Sequence, residues 1–431
     1  FFFSSRRRHT RYGTVTGVQT CALPICLATA LSLHAEGVDV AVRESVPRVE
    51  PLGVGINLLP HAIRELDALG LLDELEQVGV APTNLAYFSA RGQMIWEEAR
   101  GRAAGYQWPQ LSLHRGTLQV ALHHAAVERL GADRVVTGRH LISIDQHDDG
   151  ATAHFECRDG SGQQESIDAA IVVAADGIHS TVRQQRFPHE GMPLWNGALL
   201  WRGAVEYDPI LDGNTMVWAG HPDQKFVAYP IRNLENGKQL INFIAEYRTD
   251  DRELLEREDW NRAGNLDDFA PRFDDWVFDW LDIPTLLRAA PGTFLFPMVD
   301  RDPLPTWVDQ RCLLIGDAAH VMYPVGSNGA SQAIVDARLL GAEFLRHGVE
   351  PAALLAYETA TLKNMNELIL RNRGAGPIGI LGLVEERCGG VFERIEDVIP
   401  RTEIEEYMSR YKTAAGFAIE SLNGAPPTIA L

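Results

Sequence analysis

The sequence predicts an α/β protein: a parallel sheet layered with helices, an inserted antiparallel sheet, and a helical C-terminal tail. Three observations predict it. Two continuous apolar runs, Ala169 to Ala175 and Cys312 to Ile315, end on Asp176-Gly177 and Gly316-Asp317, as strands buried on both faces of a parallel sheet do. Between them lie alternating, aromatic-rich segments, "ALLWRGAVEY" (198–207), "MVWAGHPDQKFVAYPI" (216–231) and "LINFIAEYR" (240–248), which read as antiparallel strands. After Gly374, "TEIEEYMSRYKTAAGFAIESL" sets Ile404, Tyr407, Met408 and Tyr411 at helical spacing, to pack on the body or to mediate a dimer contact.

Composition bounds the function. A chain of 431 residues, 45% hydrophobic, buries a sizeable core in two or three domains. A net charge of -19 argues against nucleic acid, which needs clustered Lys and Arg. Cys21, Cys26, Cys157, Cys312 and Cys388 are odd in number and form no CxxC pair, so neither a disulfide framework nor a metal site is expected, and a cytoplasmic location fits. No apolar run reaches the roughly 18 residues of a membrane span. The opening "SSRRRHTR" suggests an export signal, but the "GVQTCALPIC" behind it is too polar and short for a signal core.

From Leu27 the chain reads as helix and strand of a nucleotide-binding βαβ unit. "LATALSLHAEG" is a helix closed by Gly37, and "VDVAVRES" a strand ending on Glu44, where such units hold a ribose. Counted back, the three glycines of G-x-G-x-x-G fall on Cys21, Leu23 and Cys26. These glycines permit a tight turn, approach of a pyrophosphate and contact between helix and strand, and Pro24 has no N–H to offer an anion. Residues 1–26 resemble translated sequencing-adapter read-through, so the expectation is that a native strand and glycine loop have been replaced; a divergent but genuine N-terminus is the alternative.

"DAAIVVAADGIHSTVRQQ" places Asp176 at a strand's C-terminal edge, with Ser180 opening a helix; alone, Asp-Gly is more often a plain turn. "CLLIGDAAHVMYPVGSNGASQAIVDARLLGAEFL" says more. A buried strand ends at Gly316-Asp317, a loop carries Pro324, Gly326 and Gly329, and a helix starts near Ala330. Glycines before a helix let a planar ligand reach backbone N–H groups, and the helix N-terminus favours negative charge. That suits the N1 to O2 edge of a reduced flavin, with Asp317 accepting from ribityl hydroxyls. His320 is read as structural. "GAGPIG" (374–379) matches a dinucleotide motif in letters only, because it follows a helix and leads into no βαβ unit.

In order and spacing these motifs resemble the single-component FAD-dependent aromatic hydroxylases, the group with p-hydroxybenzoate and salicylate hydroxylases, from Leu27 to about residue 370. "PLGVGINLLPHAI" (51–63), "YPVGSNGASQAI" (323–334) and "FPMVDRDPLPTW" (296–307) look like the branch containing the 5-methylphenazine-1-carboxylate monooxygenase. The resemblance implies a Rossmann-like FAD-binding domain (27–75, 105–190, 290–365), a substrate domain (76–104, 191–289) and a helical C-terminal region (366–431). It gives Glu44 the adenosine ribose, Arg115 and Gln119 the phosphates or ribityl chain, and Asp176 with Gly177 the pyrophosphate region. Gly316 and Asp317 take the ribityl chain, while Pro324, Gly326, Gly329, Ala330 and Ser331 line the isoalloxazine. Val54, in "GVGINL" (53–58), lies near the ring, where Gly53 and Gly55 leave it room; a helix-loop corner with no ligand is the alternative for this stretch. Arg115 also reads as a solvated cap residue.

On the substrate side Trp201, Arg202, Tyr229 and Phe243 are pocket candidates, with Pro324, Tyr229 and Trp201 at the reacting centre; each also reads as ordinary sheet packing. "DWNRAGNLDDFAPRFDDWVFDW" (259–280) is expected as a helix over the sheet. The implied reaction has NAD(P)H visit transiently to reduce FAD, O2 add at the flavin C4a, and the resulting hydroperoxide hydroxylate a small aromatic or heteroaromatic substrate. Val325, where salicylate-type relatives tend to carry a polar residue, favours a larger, apolar-bodied heteroaromatic. The expected assembly is a monomer or homodimer, with no nucleic acid or membrane partner. Two alternatives stay open: an FAD-dependent oxidase or reductase, and a non-catalytic relative with a damaged nucleotide loop.

Overall fold

The computed structural model describes residues 2–4, 15–17, 23–51, 53–250, 263–374, 376–414 and 418–429. The α/β layer is built on strands β1 (Phe2–Ser4), β2 (Val15–Gly17) and β3 (Asp39–Glu44), with helix α1 (Leu23–Ala35) between the last two. Beside β3, one slot is shared by β1, antiparallel along residues 39–41, and β2, parallel along residues 42–44. On its other side β3 pairs in parallel with β8 (Val135–Val136). Beyond β1 come β12 (Val172–Ala174), β22 (Cys312–Leu314) and β21 (Val308–Asp309), with β12 and β22 parallel. Both are fully buried, as their unbroken apolar runs require.

Helix α1 begins at Leu23, four residues before the helix expected from Leu27, and residues 24–33 are all buried. It lies between the sheet and two helices, α4 (Arg115–Leu130) and α8 (Asn328–His347), and small side chains make that fit possible. A β-carbon on Gly341 of α8 would come within 2.7 Å of Ser32 Oγ on α1. Of the three fingerprint positions, Leu23 and Cys26 lie within α1, and Cys21 lies outside the described residues. The apolar run 169–175 is not one strand. Ala169 ends β11 (Gln164–Ala169), which joins β10 (Gly150–Cys157) and β9 (Arg139–His147) in a separate sheet, and only residues 172–174 enter the parallel layer.

The inserted sheet has eight strands. Its centre is β13 (Leu194–Tyr207), β16 (Gln239–Arg248), β15 (Gln224–Asn233) and β14 (Thr215–His221), flanked by β20 (Thr293–Asp300) and β17 (Ala263–Gly264) at one edge. At the other edge, β5 (Asn84–Ser89) and β6 (Met94–Ala99) bring a much earlier stretch of chain into the sheet. The outer face is closed by residues 263–290. The predicted helix over 259–280 does not form: residues 259–262 lie outside the described residues, and the rest is β17, two 3₁₀ turns (266–268 and 270–273) and the hairpin β18 (Val277–Phe278) with β19 (Leu281–Asp282), followed by helix α6 (Ile283–Ala289). Pro271, lacking an N–H, cannot extend the first turn into an α-helix. Phe269, Phe273 and Trp276 are instead buried against the sheet.

Two connecting strands, β4 (Gly55–Leu58) and β7 (Leu111–His114), pair with each other. Helices α2 (Pro60–Ala68) and α3 (Leu72–Val78) follow β4, and α5 (Thr181–Arg186) follows β12. The C-terminal part runs through α7 (Asp317–His320), α8, α9 (Pro351–Arg373), α10 (Gly379–Cys388), α11 (Arg401–Ala414) and α12 (Ile419–Gly424). Ile404 and Met408 of α11 are buried on the body, and the Tyr407 hydroxyl donates to the Gly376 carbonyl at 2.6 Å. Among the described residues no helix is long and apolar enough to cross a membrane. The α1–α8 contact supplies the first expectation. Gly341→Val, forcing extra carbons against Ser32, should lower stability by about 1–3 kcal/mol, read as a lower urea midpoint.

Candidate active site

A strand's alternation decides what faces the space between the α/β layer and the inserted sheet. Leu200 and Arg202 on β13, Val227 and Tyr229 on β15, and Ile244 on β16 all point into it, one residue in two. Trp218, Phe296 and Met298 extend this wall. The opposite wall comes from Pro24 and Ile25 of α1, Gly55 to Asn57 of β4, and the loop from Asp317 to Ala333. Together they enclose a cavity of about 290 Å³, close to the lower end of the usual range for small-molecule sites.

Strand β4 is held against the inserted sheet by two bonds. Gly55 N–H donates to Asn242 Oδ1 at 2.7 Å, and Arg202 donates to the Gly55 carbonyl at 3.0 Å. A β-carbon on Gly55 would meet Asn242 Cβ at 2.6 Å, so only glycine allows the approach. Arg202 also lies 5.5 Å over the Phe296 ring and hydrogen-bonds Tyr229. Burial pushes the Tyr229 phenol above its ordinary pKa, against the opposing charge and hydrogen bond of Arg202, so it stays protonated.

At the other end of the cavity stand Arg115 and Asp317. Arg115 opens α4, its N–H donating to the Val54 carbonyl at 2.9 Å, and its side chain packs on Gly53, where a β-carbon would lie 2.9 Å from Nε. Gly53 has a φ of +107°, which only glycine adopts readily. Burial raises the Asp317 pKa, opposed by the charges of His320 and Arg115. Behind Asp317, His320 Nε2 and Asp336 Oδ2 lie 2.6 Å apart, both almost fully buried. Burial disfavours the imidazolium, but the charge and hydrogen bond of Asp336 prevail and raise the His320 pKa.

The loop into α8 carries the backbone wall. Gly326 and Ser327 are consecutive left-handed residues, with φ of +78° and +59°. A β-carbon on Gly329 meets nothing within 4 Å, so the backbone there is open to the cavity. Ser331 Oγ accepts from Leu59 N–H at 3.0 Å and donates to the Ser327 carbonyl at 3.3 Å, pinning this loop to the end of β4. Helix α8 starts at Asn328, two residues earlier than expected.

Of the residues singled out from sequence, Arg115, Tyr229, Asp317, Pro324, Gly329 and Ala330 line this cavity, as does Arg202. Glu44, Val54, Gln119, Asp176, Gly177, Gly316 and Ser331 do not. Glu44 ends β3, and its Oε1 accepts from Val46 N–H at 2.8 Å. Gln119 is buried in α4. Asp176 Oδ2 accepts from Val182 N–H at 3.3 Å, and burial raises its pKa, opposed by the bond to Ser180. Gly177 takes a φ of +76° in the turn that follows. A β-carbon on Gly316 would lie 3.0 Å from Ile25 Cδ1, so this glycine serves contact with α1. Gly326 lines a neighbouring, smaller chamber.

Trp201 is corrected from the reacting centre to the outer face. Adjacent to Arg202 on one strand, it must point the other way, and it stacks on Tyr247 and Phe269 at 4.8 and 5.1 Å. Phe243, paired opposite Gly203, shares that outer face. Asn242, Trp218 and Ile244 were missed, because they share the face of Arg202 only through the register between strands, Arg202 opposite Ile244, Ile244 opposite Val227 and Val227 opposite Trp218, which parity within one strand does not carry.

Two outcomes follow. Trp201→Ala should cost about 3–5 kcal/mol of stability, measured by denaturant unfolding, through a cavity in the outer core rather than through the site. His320 contributes stability that is fully present below its ordinary value near 6.5 and lost as pH rises through its raised folded value. The wild-type advantage over His320→Gln in unfolding midpoint should therefore be larger at pH 6 than at pH 9.

Residues 22–269 and 299–371 match the FAD binding domain family. The chain is 42% identical over 351 residues to the phenazine 1,6-dicarboxylic acid hydroxylase PhzS of Lysobacter antibioticus, covering 80% of this chain and 86% of that protein. It is 30% identical over 406 residues to 3-hydroxybenzoate 6-hydroxylase 1 of Aquipseudomonas alcaligenes, covering 88% and 96%. The fold is shared with Klebsiella pneumoniae HpxO solved with FAD and uric acid (TM-score 0.68, 21% identity, 95% of each chain). It is shared too with a salicylate hydroxylase substrate complex (TM-score 0.67, 23% identity, 94% and 98%). The motifs, the cavity they border and these similarities lead to one conclusion: the chain belongs to the FAD binding domain family.

Proposed function

We propose that the protein is an FAD-dependent monooxygenase that uses NAD(P)H and O2 to hydroxylate an aromatic acid larger than a single ring. The observation that carries the substrate class is Arg202, a guanidinium set among Leu200, Trp218, Val227, Ile244 and Phe296 on the sheet side of the cavity. An aromatic body fits those walls, and a carboxylate fits the cation. The similarity to a phenazine dicarboxylic acid hydroxylase points the same way.

The residues present fit a flavin. The open backbone at Gly329 admits a flat ring, and Asp317 and Arg115 offer an acceptor and a cation at one end. Asp176 Oδ1 is buried without a hydrogen-bond partner among the described residues, which suits a polar ligand or its waters nearby. FAD, when bound, supplies hydride acceptance and oxygen activation. The balance is ArH + NAD(P)H + H⁺ + O2 giving ArOH + NAD(P)⁺ + H2O.

The chain's own contribution is placement and exclusion of water. Pro324, Val321 and Met322 give an apolar floor, and Met298 with Phe296 covers the sheet side, so water is kept from the reacting centre. Arg202 fixes the acid end of the ring. Tyr229, kept neutral by burial, has its phenolic proton to donate. The N-terminus of α8 and the N–H groups around Gly329 favour negative charge on the ring edge they face. Glu44 and Gln119 would serve the adenosine and phosphate end.

Incubation of the FAD-loaded protein with NAD(P)H, phenazine-1-carboxylate and ¹⁸O2 tests this. One labelled oxygen atom in the product is expected; NAD(P)H oxidation with unlabelled product would support an oxidase or reductase instead. Arg202→Gln should raise KM for the acid about 10- to 100-fold, as loss of a hydrogen bond to a charged group does, while leaving binding of the neutral carboxamide within a few-fold.

A further inference from the structure

The large cavity has a neighbour. Trp218 and Ser327 line both it and a second, smaller chamber that also reaches Gly326 of the strained loop and Met408 of α11. The chamber measures about 30 Å³. At about 10–15 Å³ for the centre of one water, it holds two waters or one small substituent, not a ring.

Its polar lining is specific. Glu98 and Arg100 form an ion pair at 2.5 Å, with side chains only 8% and 15% exposed, so the two charges cancel. Gln110, itself 3% exposed, directs Nε2 to Met216 Sδ at 3.0 Å. Its Oε1 is left without a hydrogen-bond donor among the described residues. Leu59, Leu85, Met216, Pro377 and Met408 give the chamber apolar walls, and Tyr87 and Ser327 border it as well. A carboxylate would find a cation already neutralised and an acceptor in the way. A methoxy group would leave Oε1 unmatched. A hydroxyl or amino group brings the missing donor.

We propose that this chamber is a substituent subsite, taking a hydroxyl or amino group on the edge of the substrate remote from the carboxylate, while the ring lies along Trp218 in the large cavity. The proposal rests on the aromatic-acid reading above. Arg202 then recognises one end of the molecule by charge and Gln110 the other by donor matching. The pair of contacts sets which ring edge faces the flavin and hence where oxygen enters.

The test is calorimetric titration of the FAD-loaded protein with phenazine-1-carboxylate and its 6-hydroxy, 6-amino and 6-methoxy derivatives. The hydroxy and amino acids should bind about tenfold more tightly than the methoxy and unsubstituted ones. Gln110→Leu should erase that preference while binding the unsubstituted acid as the wild type does, which also reports that the variant is folded. Gln110→Glu, which keeps an acceptor, should retain it. Equal binding of all four acids by the wild type, or an undiminished preference in Gln110→Leu, would mean that the chamber holds water only and would overturn the proposal. If none of the four binds the wild type, the aromatic-acid reading itself fails and the subsite falls with it.

Discussion

The contact on which the site depends is the approach of β4 to the inserted sheet at Gly55. Its N–H reaches Asn242 and its carbonyl takes Arg202, so a single glycine supplies both halves of the clasp. Any side chain there would collide with Asn242 Cβ. The clasp also propagates. Leu59, just past β4, bonds Ser331 on α8, and the Val54 carbonyl, just before it, receives the first N–H of α4. Four units, the sheet, β4, α4 and α8, are thereby registered to one another within a few residues. The cavity is the space this registration leaves.

Much of this was legible in the sequence, for reasons that also explain what was not. The strand-loop-helix around Gly316 and Asp317 could be read because a buried parallel strand is an unbroken apolar run and the glycines after it have few other uses. Arg202 and Tyr229 were found, but Trp201 and Phe243 were placed with them, because aromatic content was weighed and strand parity was not. Trp201 and Arg202 are neighbours on one strand and cannot share a face. The run 169–175 looked like one strand, since composition cannot show that a chain changes sheets within it. Gly55 was seen only as room for a ring; that its partner would be Asn242, 187 residues away, is a tertiary fact with no local signature.

The electrostatics of the cavity are divided between its ends. Arg202 sits on the sheet side, its charge partly engaged by Tyr229 and the Gly55 carbonyl, and Arg115 faces Asp317 on the other. The His320–Asp336 pair lies behind Asp317, close enough for its positive partner to oppose the rise in that carboxyl's pKa. A buried pair of this kind is weak evidence for stability, because the desolvation of both groups offsets their attraction. Its better-supported effect is local: it keeps a cation next to a carboxylate that burial would otherwise neutralise.

The strain at Ser327 then has a reason. A non-glycine residue in the left-handed region costs roughly 1–3 kcal/mol and persists only where its surroundings impose it. Here the surroundings are visible: Ser331 Oγ holds the Ser327 carbonyl from within α8, and Gly326 before it is left-handed too. Two such residues in succession turn the chain sharply enough that α8 can begin at Asn328 with its N-terminus and the open backbone of Gly329 toward the cavity. A relaxed loop would need more residues to make the same reversal and would spend the space that Trp218 and Ser327 now divide between two chambers. The strained turn is therefore what allows one helix start to border both a ring-sized cavity and a substituent-sized one.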